Sequence, residues 1–183
     1  MRARFAASVA LALILASTAS VHARKRGITG RTAPAIAGQW LNLQPGESPP
    51  DPTNAKGKVV YLFFFQSWCP GCHSRGFPTL RDVMKRFEGD ARVQFAAVQT
   101  VFEGFGANDA TAAVGALVEH SVDVPVAHDP GPGGRGSTTM RRYRSGGTPW
   151  TVIIGPDGVV RFDGFRISSS KATRLIERLL PKS

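Results

Sequence analysis

Five stretches of the chain carry apolar patterns typical of β-strands. The run VVYLFFF (59–65) is continuously apolar and rich in β-branched and aromatic residues, which predicts a strand buried on both faces. VQFAAVQT (93–100) predicts a second buried strand, and VPVAHD (124–129) a shorter third one. Two apolar runs flank Gly-Pro-Asp-Gly in WTVIIGPDGVVRFDGF (150–165), which predicts a β-hairpin. Nearer the start, IAGQWLNL (36–43) predicts one more short strand.

Four other stretches show helical periodicity or helix-start signals. After the cysteines, HSRGFPTLRDVMKRFEG (73–89) places apolar residues at helical spacing, and Pro78 inside it predicts a kink rather than an end. NDATAAVGALVEHSV (108–122) opens with Asn and Asp as candidate N-caps. STTMRRYR (137–144) predicts a short helix, and SSSKATRLIERLLPKS (168–183) predicts a Ser-capped amphipathic helix.

The predicted order of these elements defines a fold class. Early alternation of strands and helices gives parallel strands, whereas the late hairpin adds antiparallel ones. The sequence therefore predicts an α/β domain with a mixed central sheet, helices on both faces, and a terminal β-hairpin plus helix. We place this domain at residues 58–183, after an N-terminal extension and loop at 24–57 that is rich in Pro, Gly and basic residues.

The first 23 residues have the pattern of a secretory signal peptide. Arg2 and Arg4 form a positive region, FAASVALALILA is an apolar segment of 12 residues, and cleavage is expected after Ala23. An uncleaved anchor is the weaker alternative, because so short a segment spans a bilayer poorly. We therefore expect an exported protein, periplasmic or secreted, without stable membrane insertion.

The chain is basic, with a formal net charge of +10 that falls by two, to +8, when Arg2 and Arg4 leave with the leader. Basic exported proteins meet acidic surfaces and acidic partner proteins, so nucleic acid is not an expected partner. Export also places the cysteines in an oxidising compartment that permits disulfides.

The two cysteines, Cys69 and Cys72, lie between a predicted strand and a predicted helix. A disulfide between them closes a very small loop, so as a structural staple it would constrain the unfolded chain little. Structural zinc normally needs four nitrogen or sulfur ligands, and the mature chain adds only His73, His120 and His128. His73 is adjacent to Cys72, which is awkward for tetrahedral coordination. A reactive pair is the interpretation that these observations favour.

The place of this pair at a helix start has chemical consequences. Unpaired backbone N–H groups and the helix dipole stabilise a thiolate at Cys69. Pro70 suits the first helical position, and Gly71 permits close approach of a partner chain. We expect Cys69 to be the nucleophile and Cys72 the resolving thiol of a dithiol that cycles through a Cys69–Cys72 disulfide. His73 could favour the thiolate as a cation, but we expect it to be solvent exposed.

A second informative segment is GGTPW (146–150), whose proline is either an ordinary loop residue or a cis-proline facing the helix start. SWCPGCH after an apolar strand, with GTPWTVIIGPDGVV some 80 residues later, resembles the thioredoxin superfamily. Within that superfamily the chain is similar to the exported TlpA/ResA-like thiol–disulfide oxidoreductases of the redoxin group. The resemblance covers residues 34–181.

This resemblance implies a thioredoxin-like fold and assigns roles to five residues. It implies that Cys69 attacks, Cys72 resolves and Trp68 flanks the site. It also implies that Pro149 is a cis-proline that holds the Thr148 backbone open to an extended substrate segment. The implied chemistry needs no cofactor beyond the redox-active disulfide. The implied partners are protein thiol or disulfide substrates and a thiol electron donor or acceptor.

Two positions depart from the pattern of the resemblance. Thioredoxins carry a buried acid six residues before the first cysteine, where this chain has Phe63. Another group must then accept the Cys72 proton, and an acid after the next strand in the exported subgroup points to Glu103. Trp150 follows Pro149 where a smaller residue is common, so we expect a narrower or stacking substrate groove.

Three functions follow from these observations. We expect a reductase of disulfides in exported proteins, although the Pro-Gly dipeptide between the cysteines does not by itself set the direction of electron flow. A peroxiredoxin-like thiol peroxidase is a second candidate, but that class needs Thr and Pro where this chain has Gln66 and Leu62. A copper-binding assembly factor of the Sco-like kind is a third, with His128 and Met140 as further ligands. That family spaces its cysteines by three residues, and this chain spaces them by two.

Overall fold

A six-stranded mixed sheet organises residues 26–55 and 57–181, which are the residues that this computed structural model describes. The strands are β1 (Gln39–Leu41), β2 (Val59–Phe65), β3 (Val93–Thr100), β4 (Val126–Asp129), β5 (Trp150–Ile154) and β6 (Val160–Gly164). Their order in the sheet is β1-β4-β3-β2-β5-β6. The central strand β2 is parallel to β3 and antiparallel to β5, and β3 is parallel to β4. Both outer strands are antiparallel to their neighbours, so the predicted mixed sheet is confirmed.

Strand β2 is buried on both faces, as its continuous apolar pattern predicts. Its side chains alternate between two hydrophobic clusters on opposite faces of the sheet. Tyr61, Phe63 and Phe65 join the first cluster, which also contains both cysteines. Leu62 and Phe64 join the second cluster.

Within the described residues, four α-helices cover the two faces, which confirms the predicted arrangement: α1 (Phe77–Arg86), α2 (Ala110–Glu119), α3 (Thr138–Tyr143) and α4 (Ser169–Leu179). Helices α1, α2 and α4 bury residues in the first cluster, whereas Tyr143 of α3 belongs to the second. Helices α2, α3 and α4 each begin after a residue whose side chain accepts a backbone N–H bond, namely Asp109, Ser137 and Ser168.

The helical segment after the cysteines changes pitch just before Pro78. Residues 70–71 are α-helical, Cys72–Gly76 forms a π-helical turn, and α1 follows without a break. In the π turn the Phe77 N–H donates to the Cys72 carbonyl, five residues earlier. A proline cannot donate the α-helical bond to the residue four positions before it, and a wider turn accommodates that loss. As predicted, Pro78 does not end the helical segment; it follows the π turn and lies in the first turn of α1.

The segment predicted as an N-terminal extension and loop (24–57) packs on the same sheet. It supplies the edge strand β1, and Ile28, Ala33 and Ala55 are buried in the second cluster. The predicted signal peptide (1–23) lies outside the described residues. Within those residues, no helix is long and apolar enough to cross a membrane.

Candidate active site

Strand β2 and the helix that follows bring both cysteines to one end of the sheet. Cys69 is 7% exposed, Cys72 is fully buried, and both are free thiols. The Cys72 N–H donates to Cys69 Sγ at 3.3 Å, and the Cys69 carbonyl accepts from the N–H groups of Cys72 and His73. These bonds hold the Cys69 sulfur at the first helical turn, beside the backbone N–H groups at the helix start.

The surroundings of Cys72 keep its thiol protonated. Burial raises the pKa of Cys72 far above its usual value, and the neighbouring Cys69 raises it further. The Gln66 backbone and the Thr148 side chain lower this pKa, but they do not offset burial. Cys69 is therefore the more accessible sulfur, with a neutral thiol behind it. The attacking and resolving roles stay predictions, and this geometry favours them.

The Thr148–Pro149 peptide bond is cis, in agreement with the resemblance. A β-carbon on Gly71 would stand 3.2 Å from Pro149 Cδ, and one on Gly76 would stand 3.1 Å from Pro149 Cβ. The absence of side chains at these two glycines lets the loop before β5 approach the turn that carries the cysteines. Thr148 thereby comes close enough for its side chain to lower the pKa of the Cys72 thiol.

A groove of about 630 Å³ runs beside Pro149 and the first helical turns. Its lining combines the cationic side chains of Arg75 and Arg166 with the apolar side chains of Phe165 and Ile167. The Pro-Gly dipeptide between the cysteines lines the same groove. A concave surface with apolar walls and a few polar groups is suited to a bound peptide segment.

The two tryptophans near the site have different environments. Trp68 is 43% exposed, and its indole lies over Gly104, where a β-carbon would stand 3.0 Å from Cδ1 of the indole. Trp150 is 3% exposed and packs edge to face on Phe165, with ring centroids 4.8 Å apart. It pairs in register with Phe64, so its side chain joins the cluster opposite the cysteines. Trp150 therefore does not line the groove itself, but it packs against Phe165, which does, and the expectation of a narrower or stacking groove stays a prediction.

Phe63 fills the position of the buried acid of thioredoxins with an aromatic ring. It is fully buried, lies edge-on to Phe77 with centroids 5.0 Å apart, and stacks with Phe65 at 5.8 Å. The strand below the cysteines therefore presents apolar rings, and no carboxylate, to Cys72.

Glu103 has an exposed side chain, although its backbone faces the site. The Glu103 N–H donates to Gln66 Oε1 at 3.4 Å, and its carbonyl accepts from Asn108 Nδ2 at 3.1 Å. The groups that shift the pKa of Cys72 do not include the Glu103 carboxylate. The role of Glu103 as proton acceptor stays a prediction.

A buried amide network beside the cysteines is a feature that sequence reasoning missed. Asn108, predicted only as a candidate cap, is 2% exposed. Its Oδ1 accepts from the backbone N–H and the hydroxyl of Ser67, each at 2.9 Å. Its Nδ2 donates to the carbonyls of Glu103 and Gly104 at 3.1 Å and to Gln66 Oε1 at 3.4 Å. One side chain thus ties the residues before Trp68 to the loop after β3.

His73 is half-buried, so the expectation that it is solvent exposed is wrong. Its Nε2 bonds to the Ser67 carbonyl, and its Nδ1 lies 2.8 Å from His120 Nε2 and 3.6 Å from Glu119 Oε1. Both ring nitrogens are thereby engaged away from Cys69. In the part of the chain that the structure describes, these three side chains form the one group of His, Cys, Asp or Glu that could share a metal ion, and neither cysteine belongs to it.

The residues named for the two alternative functions have other contacts. His128, the histidine of the copper alternative, has its Nδ1 2.5 Å from Gln99 Oε1. Gln66 stands where a peroxidase has its activating threonine, and its Oε1 accepts from the N–H groups of Phe102 and Glu103 at 3.4 Å. Its amide therefore contacts the loop after β3.

Comparison with solved structures finds the same architecture. A thioredoxin-like superfamily protein is 31% identical with a TM-score of 0.72, over 83% of this chain and 97% of that one. A thiol-disulfide isomerase from Corynebacterium glutamicum is 26% identical with a TM-score of 0.72, over 84% of this chain and 98% of that one. A secreted disulfide oxidoreductase from Mycobacterium tuberculosis shares the fold at 18% identity and a TM-score of 0.53, over 75% of this chain and 93% of that one.

Comparison at the level of sequence agrees with the fold. A search of curated proteins found no significant match. Residues 29–171, well over half of the chain, match the Redoxin family, and this range contains both cysteines and the cis-proline. The chain therefore belongs to the Redoxin family, as a thiol–disulfide oxidoreductase with a thioredoxin-like fold.

Proposed function

We propose that the protein reduces disulfides in other exported proteins through its Cys69–Cys72 dithiol. Cys69 attacks one substrate sulfur as a thiolate, a mixed disulfide forms, and one substrate thiolate leaves and takes up a proton. Cys72 then loses its proton and attacks the Cys69 sulfur, which releases the second substrate thiol. Two electrons pass to the substrate, and the protein is left with a Cys69–Cys72 disulfide. An external thiol donor restores the dithiol, and no other cofactor takes part.

One observation carries this proposal: Cys69 lies at a helix start beside a cis-proline and a groove, with a neutral buried thiol behind it. An extended substrate segment in that groove can pair its backbone with Thr148. Arg75 and Arg166 outnumber the carboxylate of Asp82 in the lining, so the groove has a net positive charge, which favours acidic segments.

The surroundings of the sulfurs support the reducing direction. Strong oxidants of this kind owe their high potential to a stabilised reduced form, and cationic neighbours stabilise a thiolate. Within the described residues, no Lys, Arg or His side chain hydrogen-bonds either sulfur, and the nitrogens of His73 contact Ser67 and His120. The apolar ring of Phe63 belongs to the same buried cluster as Cys72, and burial disfavours a negative charge on the Cys72 sulfur.

The reduction potential of the Cys69–Cys72 couple tests the direction. We expect a value near that of thioredoxin, about −270 mV, from equilibration with a glutathione or dithiothreitol series. A value near about −120 mV would identify a disulfide donor and overturn the proposed direction.

Variants of the two cysteines test the chemistry itself. Wild type should accelerate insulin reduction by dithiothreitol, Cys69→Ser should not, and Cys72→Ser should accumulate a mixed disulfide with substrate. Full activity of Cys69→Ser would contradict the assignment of the nucleophile.

We also propose that Glu103 accepts the Cys72 proton during resolution. The support is the position of its loop: the Glu103 N–H donates to Gln66 Oε1, and the Gln66 backbone lies close enough to Cys72 to lower the pKa of its thiol. Glu103→Gln should slow release of the mixed disulfide by at least about a hundredfold and leave its formation at Cys69 unchanged. Unchanged release would remove Glu103 from the mechanism.

Export of the protein is proposed from its N-terminal pattern alone. Cell fractionation should recover a mature chain outside the cytoplasm, and N-terminal sequencing should begin at Arg24. An intact chain retained in the cytoplasm would contradict this.

A further inference from the structure

His73 and His120 bring three metal-ligating side chains together next to the cysteine turn. His73 lies in the π turn, and His120 caps the C-terminus of α2 directly after Glu119. The His73 Nδ1 is 2.8 Å from His120 Nε2 and 3.6 Å from Glu119 Oε1. One ligand atom from each of the three lies within 4.8 Å of the others.

The two imidazole rings are held in fixed orientations. His73 Nε2 bonds to the Ser67 carbonyl, which can only accept, so this nitrogen carries the proton and Nδ1 presents its lone pair to the cluster. A ligating histidine typically donates its other N–H to a backbone carbonyl in this way. His120 stacks on the fully buried Phe77 with centroids 4.5 Å apart and planes inclined by 7°.

We propose that His73, His120 and Glu119 form a binding site for a borderline divalent metal ion such as Zn²⁺, separate from the cysteine pair. Two imidazole nitrogens and one carboxylate oxygen, with water at the fourth position, are a ligand set that suits zinc. The cysteines have no part in this site, so the inference does not rest on the proposed redox function.

Binding requires small and identifiable changes. With Zn–N bonds of about 2.0–2.1 Å, tetrahedral coordination separates two nitrogens by about 3.3 Å, so the rings must part by about half an ångström. His120 must place its proton on Nδ1 so that Nε2 can ligate, which is a change of tautomer and releases no net proton. The negative charge of Glu119 favours binding of the cation. The positive charge of Arg81 opposes binding, because Arg81 interacts electrostatically with the His120 ring.

A bound ion would connect segments that are distant in sequence. Ser67 precedes the cysteine pair, His73 follows it, and the other two ligands lie at the end of α2. The ion would therefore fasten both ends of the cysteine turn to α2, and the folded state would gain stability in proportion to the occupancy of the site.

Zinc titration of a chain without thiols tests the site. The Cys69→Ser/Cys72→Ser double variant is titrated with Zn²⁺ by calorimetry, and Tm is followed in parallel. We expect one ion per chain and a rise in Tm. His120→Phe in the same background keeps an aromatic ring against Phe77 but removes the ligand nitrogen, and it should weaken binding more than about tenfold. Glu119→Gln should weaken binding in the same direction.

His128→Asn is the matched control, because it removes an imidazole outside the cluster and should leave zinc affinity unchanged. Circular dichroism checks that each variant is folded. If His120→Phe does not fold, the comparison is made with Glu119→Gln, which changes an exposed position. Equal zinc affinity in the double variant and in its folded His120→Phe or Glu119→Gln derivative would overturn the proposal. Zinc binding by wild type but not by the double variant would assign the ion to the thiols and would overturn it as well.

Discussion

Gly76 packs directly against the ring of Phe63, so that no side chain fits between the π turn and strand β2. A β-carbon on Gly76 would stand 2.6 Å from Phe63 Cε2, well inside contact distance. The glycine itself has ordinary right-handed helical backbone angles, φ −62° and ψ −58°, so the constraint is steric and not conformational. Phe63 stands where thioredoxins have the buried acid, and its ring fits there because Gly76 has no side chain.

Gly76→Ala should destabilise the protein because the added methyl group overlaps Phe63 and Pro149. We expect the free energy of unfolding to fall by about 1–3 kcal/mol, as overpacking of a filled core does. Gly115→Ala is the matched control, since this helical glycine has open space where the methyl group would go. It should gain up to about 1 kcal/mol from the helix propensity of alanine. Urea unfolding of both variants decides the matter, and equal changes in the two would contradict the steric explanation.

The elements of the fold could be predicted because the signals that set them are local. The runs at 59–65 and 93–100 coincide with β2 and β3, since a strand buried on both faces must be continuously apolar. Asp109, Ser137 and Ser168 cap helices because a side-chain oxygen there satisfies N–H groups that the helix leaves free.

The contacts within the site could be predicted only in part. The cysteine pair has a signature of its own, and the cis-proline came from the resemblance. The pairing of His73 with His120 depends on how α2 packs beside the π turn, and periodicity does not contain that information. The face of the sheet on which the Trp150 side chain lies follows from the pairing of Trp150 with Phe64. Tertiary structure sets that register as well.

The raised pKa of Cys72 should make stability depend on alkaline pH. The unfolded thiol titrates near its usual pKa of 9.0, whereas the folded one titrates far higher. The unfolded state therefore binds fewer protons above about pH 9, and stability falls as pH rises there. The contribution of Cys72 is fully present below that pH.

The measurement compares Cys69→Ser with Cys69→Ser/Cys72→Ser by urea unfolding at pH 8 and pH 10. From pH 8 to pH 10, the free energy of unfolding of Cys69→Ser, which keeps Cys72, should fall by about 1.4 kcal/mol relative to that of the double variant. Tyr61, whose pKa burial raises to about 12, is present in both variants and cancels. If the unfolding free energies of the two variants changed equally with pH, burial would not perturb the pKa of Cys72.

Asp129 joins the end of β4 to the start of α3 across the glycine-rich loop. Its carboxylate is 1% exposed and accepts from the Ser137 hydroxyl at 2.7 Å, the Thr139 N–H at 2.6 Å and the Gly131 N–H at 3.1 Å. Burial alone would raise the pKa of Asp129, but the hydrogen bonds from Thr139, Ser137 and the Thr138 backbone outweigh it and the pKa is lowered. A lowered pKa contributes stability above the unfolded value of about 3.9, and this is lost as pH falls through the folded value.

Asp129→Asn should therefore cost about 1.5–3 kcal/mol of unfolding free energy at pH 7, because it removes the charge from three hydrogen bonds. The difference from wild type should narrow below about pH 4, where the wild-type carboxylate begins to protonate. Glu88→Gln, at an exposed position, is the control and should change stability by less than about 0.5 kcal/mol. A difference that is constant from pH 7 to pH 3 would contradict the role of the charge.

Asn108 should matter for activity as well as for stability, because it holds the residues that lead into the cysteine turn. Asn108→Ala leaves the Ser67 N–H and the carbonyls of Glu103 and Gly104 without the partner they have in wild type. These three groups are partly buried, and a fully buried group left unpaired costs about 1–3 kcal/mol, so over the three we expect a loss of about 2 kcal/mol in urea unfolding.

The activity of the same variant separates a structural role from a positioning role. With Ser67 released, Trp68 and Cys69 lose a fixed approach to substrate, and kcat/KM for a protein disulfide should fall by at least about tenfold at a temperature where the variant is folded. Asn54→Ala, which removes an exposed amide, is the control and should leave both measurements unchanged. Lower stability with full kcat/KM would show that the amide network supports the fold without positioning Cys69, since a misplaced nucleophile must react more slowly.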